Sequence, residues 1–286
     1  MKESLEQCHV CVIGLGLIGG SLALALRGQC ASMAGCDTDP RVVEAAQARG
    51  VIDRGSTDLA DVSSGIDLVI LAAPVGAILT LIPELPNLIP HPFHLLDLGS
   101  TKSAIVEAMG RLPERVSPLG GHPMCGKETS GLDAAERNLF RGSVFVLTPL
   151  ERTLPASIAL ARQMIEAIRA RPLILDAARH DRLAAAISHA PYLAAAALLD
   201  AAARADDELV WTLAASGFRD STRLAGSNVT MMLDILASNR AVVLEALSRV
   251  QASLQETTRL IERDDRAGLR SMLAACQSQR SGMFQV

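Results

Sequence analysis

The chain has 286 residues, which is long for one compact domain and comfortable for two. Its hydrophobic fraction of 49% is ample for a sizeable core, and with one Trp, one Tyr and five Phe that core must be aliphatic and rich in Ala. The 27 basic and 31 acidic residues nearly cancel and show no basic stripe with interleaved aromatics, which argues against nucleic-acid binding.

The N-terminal segment has no apolar stretch before the first predicted strand, so we expect no signal peptide and a cytoplasmic protein. Cys8 and Cys11 have a spacing found in metal sites, but no second pair of ligands follows. We therefore expect buried thiols and no metal. The longest uncharged stretch, 68–83, is interrupted by Pro74 and is shorter than the roughly 18 residues that a membrane span requires.

An apolar strand at 10–13 leads into a G-x-G-x-x-G sequence formed by Gly14, Gly16 and Gly19, and then into a helix. In such a turn the first glycine permits the bend, the second lets the backbone approach a pyrophosphate, and the third lets helix and strand pack closely. The unpaired N–H groups of the helix then face the anion. This setting predicts a dinucleotide site; a glycine-rich structural turn is the alternative.

Asp37 ends the second predicted strand at the distance from the glycines that the fingerprint requires. Its carboxylate would accept hydrogen bonds from the ribose of NAD and repel the extra phosphate of NADP, so we predict NAD, with NADP less favoured. Ala73 and Pro74 end the strand at 67–72 and would border the nicotinamide half, although a plain strand-to-helix turn also suits a proline. The predicted cofactor contacts are Gly14, Gly16, Leu17, Ile18, Gly19, Asp37, Ala73 and Pro74.

Further apolar strands at 93–98, 144–147 and 172–175 alternate with helical segments, a pattern typical of a parallel sheet covered on both faces. After Asp176 the strand signals stop. We therefore predict an α/β N-terminal domain over 1–176, of Rossmann type with a doubly wound, mainly parallel sheet. An all-α substrate and dimerisation domain follows over 177–286.

Two long helices are predicted in that second domain. The first, 180–203, contains Pro191, which should kink or split it. The second, 240–263, has heptad-like apolar positions at Val243, Leu247, Val250, Leu254 and Ile261. Packing within the domain would explain this spacing. A subunit interface explains it at least as well, because roughly 110 helical residues make a thin core by themselves.

His122 follows the strand-like run 116–119 and lies among glycines and a proline, so we expect it in a loop at a sheet edge. A histidine there is suited to accepting a proton from an alcohol during hydride loss, because its pKa lies near neutrality. A structural loop histidine is the alternative. His91, His94 and His180 lack such a setting and are interpreted as surface or packing residues.

Ser100 and Lys102 follow another predicted strand. Ser100 could hold a substrate hydroxyl or cap the next helix, and Lys102 adds positive charge for an anionic ligand. Arg219 and Arg223 would share one helix face, where a guanidinium can bind a carboxylate in bidentate fashion. A local salt bridge with Asp220 is the alternative for one of them.

Together these segments resemble the prephenate/arogenate (cyclohexadienyl) dehydrogenase family of tyrosine biosynthesis. The resemblance implies a homodimeric NAD-dependent oxidoreductase that converts prephenate to 4-hydroxyphenylpyruvate by oxidative decarboxylation. Arogenate dehydrogenase, forming tyrosine, and a dual-specificity enzyme are the alternatives, and tyrosine is a candidate inhibitor. The likeness spans nearly the whole chain, in family order, at 14–20, Pro74-Val75, 97–102, 121–126, Ser188-His189, 217–223 and Asn239.

The resemblance also implies residue roles. His122 corresponds to the catalytic base, Ser100 to the residue that orients the ring hydroxyl, and Arg223 to the one that binds the ring carboxylate. Ser188 would line the site, and Glu128 would lie near the substrate side chain.

The chain departs from the family pattern at two places. Many relatives carry a histidine where Tyr192 stands, facing the substrate side chain, and many have a tryptophan near Met231-Met232 that reaches across the dimer. Both places touch the pocket end that separates the keto acid of prephenate from the amino acid of arogenate. Substrate choice is therefore left open, with Tyr192 kept as a predicted contact.

Two other functions remain as alternatives. A reductase of small imines or 3-hydroxy acids also joins a Rossmann domain to a helical dimer domain, but it would not need the His122 segment together with the Arg223 segment. A dinucleotide sensor without catalysis would have no need to keep His122, Ser100 and Arg223 together.

Overall fold

The computed structural model describes residues 1–283, and its N-terminal part is built on one sheet of eight strands in the order β3-β2-β1-β4-β5-β6-β7-β8. This order, which reverses at β1, is that of a doubly wound Rossmann-type sheet and confirms the predicted fold class. The strands are β1 (His9–Ile13), β2 (Ser32–Cys36), β3 (Arg54–Ser56), β4 (Leu68–Leu71), β5 (Phe93–Asp97), β6 (Val116–Pro123), β7 (Val144–Pro149) and β8 (Arg171–Ile174).

Helices cover both faces of the sheet, and each face has its own apolar core. Leu22, Leu26 and Phe145 belong to one core, and Ile78, Ile105 and Met109 to the other. Because β1 and β4 are buried on both faces, their sequences are apolar at almost every position. The helices are α1 (Leu17–Leu26), α2 (Pro40–Ala48), α3 (Leu59–Val62), α4 (Val75–Leu81), α5 (Leu85–Leu88), α6 (Ser103–Gly110) and α7 (Pro155–Ala167).

The sheet is parallel except where β7 runs against β6. The 124–143 connection between these strands contains only a short 3₁₀ turn, Leu132–Ala134, whereas α7 returns the chain from β7 to a parallel β8. Antiparallel neighbours can be joined by a loop, but parallel ones need a crossover. The antiparallel strand continues the sheet beyond β6, the strand that carries His122.

The C-terminal part is entirely helical. Its first long helix continues past Pro191 without a gap. A π turn at Ala185–His189 comes directly before the proline, so Pro191 lies in the first turn of the helix that follows. The elements are α8 (Ala177–Ala184), this π turn, α9 (Ala190–Ala203), α10 (Leu209–Leu213), α11 (Ser216–Thr222), a 3₁₀ turn (Arg223–Gly226), α12 (Val229–Ser238), α13 (Arg240–Glu262) and α14 (Arg266–Gly282).

The helical domain has a small core of its own. Ala185, Ala190, Val243 and Ala246 are buried there, whereas Leu254 and Ile261, further along α13, are more than 60% exposed. The stretch Ala177–Ala203 is long and apolar enough to cross a membrane by length and composition, with 28% of its apolar window buried. Since this stretch packs on α13 and also contains buried His180 and His189, we interpret it as the central helix of the domain.

Candidate active site

The turn after β1 has the close contacts that the glycine fingerprint predicts. Gly14 has φ = +94°, and a Cβ there would lie 2.5 Å from the carbonyl oxygen of Ala72. A Cβ on Gly19 would lie 1.8 Å from the carbonyl oxygen of Gly14, so only glycine lets α1 approach the turn. By contrast, the Cβ position of Gly16 faces open space, and no side chain caps α1. The backbone at Gly16 is thus open to an anionic ligand.

Two cavities meet at this turn and share the walls Gly16, Ala72, Ala73 and Pro74. One, of about 690 Å³, lies over the ends of β1 and β2, and the other, of about 250 Å³, lies toward the helical domain. A dinucleotide has two halves joined by a pyrophosphate, and the crevice offers a space on each side of the helix N-terminus. The first cavity is lined by Asp37, Thr38 and Asp58, and the second by Leu17, Ile18, Ser100, Glu128, Asn228 and Met231, among others.

Asp37 is held at the mouth of the first cavity by backbone donors. Its Oδ2 accepts from the N–H of Leu15 at 2.8 Å and its Oδ1 from the N–H of Asp39 at 3.1 Å. Arg41, the nearest cation in sequence, is exposed and paired with Asp39, 2.8 Å from its carboxylate. The edge of the cavity that would face a ribose is therefore acidic.

Ser100 and His122 belong to neighbouring parallel strands. Ser100 comes shortly after β5 and lines the second cavity, while His122 lies near the end of β6, whose residues pair with β5. The prediction that His122 lies in a loop was wrong: it is inside β6, opposite Val146 of β7. The glycines before it permit close strand pairing here instead of a turn. A strand holds the ring more rigidly than a loop would.

Lys102 does not have the position that was predicted for it. Its side chain is fully buried, its ammonium forms an ion pair with the equally buried Asp97, and it donates to the carbonyl oxygen of Gly121 at 2.6 Å. Asp97 in turn accepts from the N–H groups of Gly99 at 2.8 Å and Gly121 at 3.2 Å. This charge is not available to an anionic ligand. The pair instead holds the backbone directly before Ser100 and directly before His122.

His180 was interpreted as a surface or packing residue, and that interpretation was wrong. Its Nε2 lies 2.8 Å from Nδ1 of His122, and its Nδ1 lies 2.9 Å from Oδ1 of Asp181. Asp181 also accepts from the N–H groups of Lys102 at 2.7 Å and Ser103 at 2.8 Å, so a carboxylate from the helical domain caps α6. A hydrogen-bonded row thus runs from His122 through His180 to Asp181.

Burial and hydrogen bonds set the direction in which the pKa values of His122, His189 and Asp181 depart from their ordinary values. Desolvation, with the nearby charges of His180 and Lys102, holds the pKa of His122 well below its ordinary value of 6.5. Burial likewise lowers the pKa of His189 to about 4. For Asp181, burial acts to raise the pKa, but the bonds from His180 and from the start of α6 outweigh it, and the pKa is lowered. His122 is therefore a neutral acceptor at pH 7, beside an ionised Asp181.

Arg223 and Glu128 form an ion pair between the helical domain and the loop after β6. Both are partly exposed, and Glu128 lines the second cavity, so the guanidinium lies at the cavity rim. Arg219 instead pairs with Asp220 at 3.9 Å, as the salt-bridge alternative supposed for one of the two arginines. A ligand carboxylate could reach Arg223 by displacing Glu128.

Ser188 and Tyr192 lie on the π turn and on α9, and Ser188 is exposed while Tyr192 is half-buried. Within residues 1–283, neither they nor His122 form part of the cavity walls, which include Ser100 and Glu128. The same helix faces the 3₁₀ turn that begins at Arg223. Tyr192 therefore lies on the helix that packs against the turn of Arg223, without lining the cavity.

Several site residues were missed by sequence reasoning. Asp181, Asp97 and Asn228 take part in the site or its walls through contacts distant in sequence. A signal for Asp181 existed, since adjacent His and Asp side chains are unusual in an Ala-rich helix, but the sequence does not show what they face. No group of three or more His, Cys, Asp or Glu with metal-site geometry occurs within 1–283.

Comparisons with known proteins agree across both domains. The family model described as "Prephenate dehydrogenase, nucleotide-binding domain" matches residues 22–174, and "Prephenate dehydrogenase, dimerization domain" matches 176–275. A prephenate dehydrogenase from Lactococcus lactis subsp. cremoris is 35% identical, covering 90% of this chain and 73% of its own length.

Two solved structures are similar over almost their full length. Aquifex aeolicus prephenate dehydrogenase in complex with hydroxyphenyl propionate and NAD+ superposes with a TM-score of 0.91 at 29% identity, covering 98% of this chain and 99% of that one. Synechocystis arogenate dehydrogenase has a TM-score of 0.80 at 31% identity, covering 96% and 99%.

Proposed function

The chain belongs to the prephenate dehydrogenase family, and from that premise we propose that it catalyses the NAD-dependent oxidative decarboxylation of prephenate to 4-hydroxyphenylpyruvate. One combination of features supports this most strongly: a dinucleotide crevice, a partly buried histidine on the strand beside it whose pKa is held low, and an arginine at the cavity rim. No single part is specific. Together they match an oxidation of a hydroxy acid that carries a second carboxylate.

The chain's own residues would divide the work as follows. Arg223 binds the ring carboxylate, and Ser100 donates to or accepts from the ring hydroxyl at the cavity wall. His122 accepts the hydroxyl proton, for which its low pKa keeps it unprotonated. The bound dinucleotide supplies the hydride acceptor. The bond to the ring carboxylate then breaks because loss of carbon dioxide restores an aromatic ring, so the protein needs only to orient and to deprotonate.

The preference for NAD over NADP is part of the proposal. Asp37 and Asp58 both line the cavity that would hold the adenosine half, and Arg41 is already engaged by Asp39. Among residues 1–283 no Lys or Arg lines this cavity, so a 2′-phosphate would meet these carboxylates without a cation in the cavity wall to neutralise it. A ribose hydroxyl would find an acceptor in Asp37.

Arogenate is the second candidate substrate. Glu128 offers a carboxylate to an ammonium group in the cavity that it lines together with Met231. An ammonium group of arogenate would pair with Glu128 and release Arg223 for the ring carboxylate. The keto acid of prephenate would gain nothing from Glu128.

We further propose that the functional unit is a homodimer in the cytoplasm. The C-terminal half matches a dimerisation domain, and it exposes large apolar side chains that a second copy would cover. These exposed side chains are Leu209, Trp211, Leu213, Leu233, Leu244, Leu254, Ile261 and Leu273. Tyrosine, as an aromatic product analogue, is a proposed inhibitor at the same site.

The test is a steady-state assay of the purified protein with prephenate and arogenate, each with NAD and with NADP, in the presence and absence of tyrosine. Turnover of prephenate with NAD at a higher kcat/KM than any other pairing supports the proposal. Turnover restricted to arogenate keeps the roles of His122 and Arg223 and assigns the Glu128 end to an amino group. Silence with both substrates, despite NAD binding, refutes the proposed activity.

A further inference from the structure

We propose that His180 and Asp181 are positioning residues that determine which ring nitrogen of His122 carries its proton. This assignment rests on the proposed function, in which His122 is the base. It concerns a different question, namely why His122 presents a bare nitrogen to the substrate and not an N–H. The answer lies in two residues contributed by the other domain.

The direction of the hydrogen bonds follows from the end of the row. Asp181 is 1% exposed and its oxygens accept from the N–H groups of Lys102 and Ser103, so it acts as an acceptor only. The Nδ1 of His180, 2.9 Å from Oδ1 of Asp181, must therefore carry the proton. In a neutral ring the Nε2 of His180 is then an acceptor, and it lies 2.8 Å from Nδ1 of His122.

The hydrogen-bond direction at His180 also fixes the tautomer of His122. Its Nδ1 must donate to His180, which leaves Nε2 bare and able to accept a proton. The opposite tautomer would place an N–H at Nε2, where the substrate hydroxyl must give up its proton. A single carboxylate, fixed at the N-terminus of α6, thus selects the reactive tautomer of a histidine two residues along the row.

Asp181 also acts on the charge that forms. When the substrate O–H bond breaks and an N–H bond forms at Nε2, His122 becomes an imidazolium. The charged and titratable groups that act on it are His180, Lys102 and His189, which oppose the charge, and Asp181, which favours it. Because His180 is 2% exposed, solvent screens this interaction little. Asp181 is the anion that balances the protonated state.

Steady-state kinetics of three variants test the assignment. In Asp181→Asn the single amide oxygen cannot serve His180, Lys102 and Ser103 as two carboxylate oxygens do, and the anion that balances the imidazolium of His122 is lost. We therefore expect kcat to fall at least about 100-fold, the lower range of a general base's contribution. The KM for NAD should change less than about twofold, because Asp181 lies outside the crevice walls. His180→Gln keeps an acceptor for His122 and should retain more activity than His180→Phe, which has none.

A matched control is available in the sheet that also carries His122. His94 is also buried and hydrogen-bonded, to Ser157 at 2.7 Å and to the carbonyl oxygen of Lys2 at 2.9 Å, but it belongs to the opposite end of β5. His94→Gln should leave kcat and its pH profile unchanged. If Asp181→Asn behaves like His94→Gln, or if His180→Phe equals His180→Gln, the assignment is refuted.

A measurement on the unaltered protein keeps the test independent of both folding and turnover. With ¹⁵N-labelled histidine, nitrogen chemical shifts at pH 8 should show His122 protonated at Nδ1 and bare at Nε2, with the signals assigned from the spectrum of His122→Asn. A proton on Nε2 of His122 overturns the proposal. The same holds if both nitrogens of His180 are protonated, because His180 would then donate to Nδ1 of His122 and leave the His122 proton on Nε2. Absence of dehydrogenase activity would refute the proposed function and leave this spectroscopic result standing.

Discussion

Lys102→Met should destabilise the protein far more than the loss of a surface charge. Both partners of the Lys102–Asp97 ion pair are completely buried, and burial raises the pKa of Asp97 and lowers that of Lys102. Methionine fills a similar volume but leaves the Asp97 carboxylate without a cation in a dry site. Breaking a buried pair from one side costs about 3–5 kcal/mol of unfolding free energy.

The same substitution should also reduce catalysis. Lys102 Nζ holds the carbonyl oxygen of Gly121 at 2.6 Å, and Asp97 holds the N–H groups of Gly99 and Gly121, so the backbone before Ser100 and before His122 loses its anchor. For a domain of this size, about 3–5 kcal/mol corresponds to a fall in Tm of about 6–20 °C. We expect kcat to fall with it, even at temperatures where the variant is folded.

Thermal unfolding and denaturant titration measure the first effect, and initial rates at 15 °C measure the second. Arg111→Met is the matched control, because Arg111 forms an exposed ion pair with Glu107 on the same helix, α6. That pair should contribute less than about 0.5 kcal/mol. The double variant Asp97→Asn/Lys102→Met removes both charges and should recover about 1 kcal/mol or more. A Tm for Lys102→Met within 2 °C of the control would show that the buried ion pair stabilises the protein no more than a surface pair does.

Five further results are expected. Asp37→Ala should raise the KM for NAD by about 10-fold or more and narrow the preference over NADP, as measured by the ratio of the two kcat/KM values. Arg223→Ala should raise the KM for prephenate by about 10–150-fold with a smaller change in kcat, and an unchanged KM would remove it from carboxylate binding. The acid limb of the pH profile of kcat/KM should lie below pH 6.5, because the pKa of His122 is lowered and activity is lost only as the pH falls through that pKa. His122→Asn should lower kcat about 10²–10⁴-fold, because the general base is removed. Gly19→Ala should abolish NAD binding or folding, because its Cβ would lie 1.8 Å from a carbonyl oxygen, and near-normal binding by calorimetry would contradict this.

The parts of the fold that sequence predicts are those governed by local geometry. The glycine turn, the apolar strands and the change to helices after Asp176 are each dictated by residues close together in the chain. The short strand β3 has no apolar run to reveal it, since its sequence is Arg54-Gly55-Ser56. The final helix α14 was not predicted as a separate element either, although Leu269, Met272, Leu273 and Cys276 have the spacing of one helix face.

The parts of the site that sequence does not predict depend on direction and on distant partners. Lys102 follows a strand near the cavity, but only the fold shows that its ammonium turns inward to Asp97. The glycines and the proline that flank His122 are typical of a loop, yet strand pairing with Val146 holds His122 in the sheet. His180 and Asp181 stand together in their helix, but the sequence does not show that the histidine ring reaches His122 in the other domain.

The cap that Asp181 places on α6 has a consequence for how such proteins can be recombined. A chimera that joined residues 1–176 of this chain to the helical half of another protein would keep its cofactor crevice, since those walls come mostly from one half. It would lose the cap and the row that ends on His122 unless the donor supplied a carboxylate at the same turn. Exchange of halves is therefore limited by the contacts that cross between them, among them Asp181 with α6 and Arg223 with Glu128.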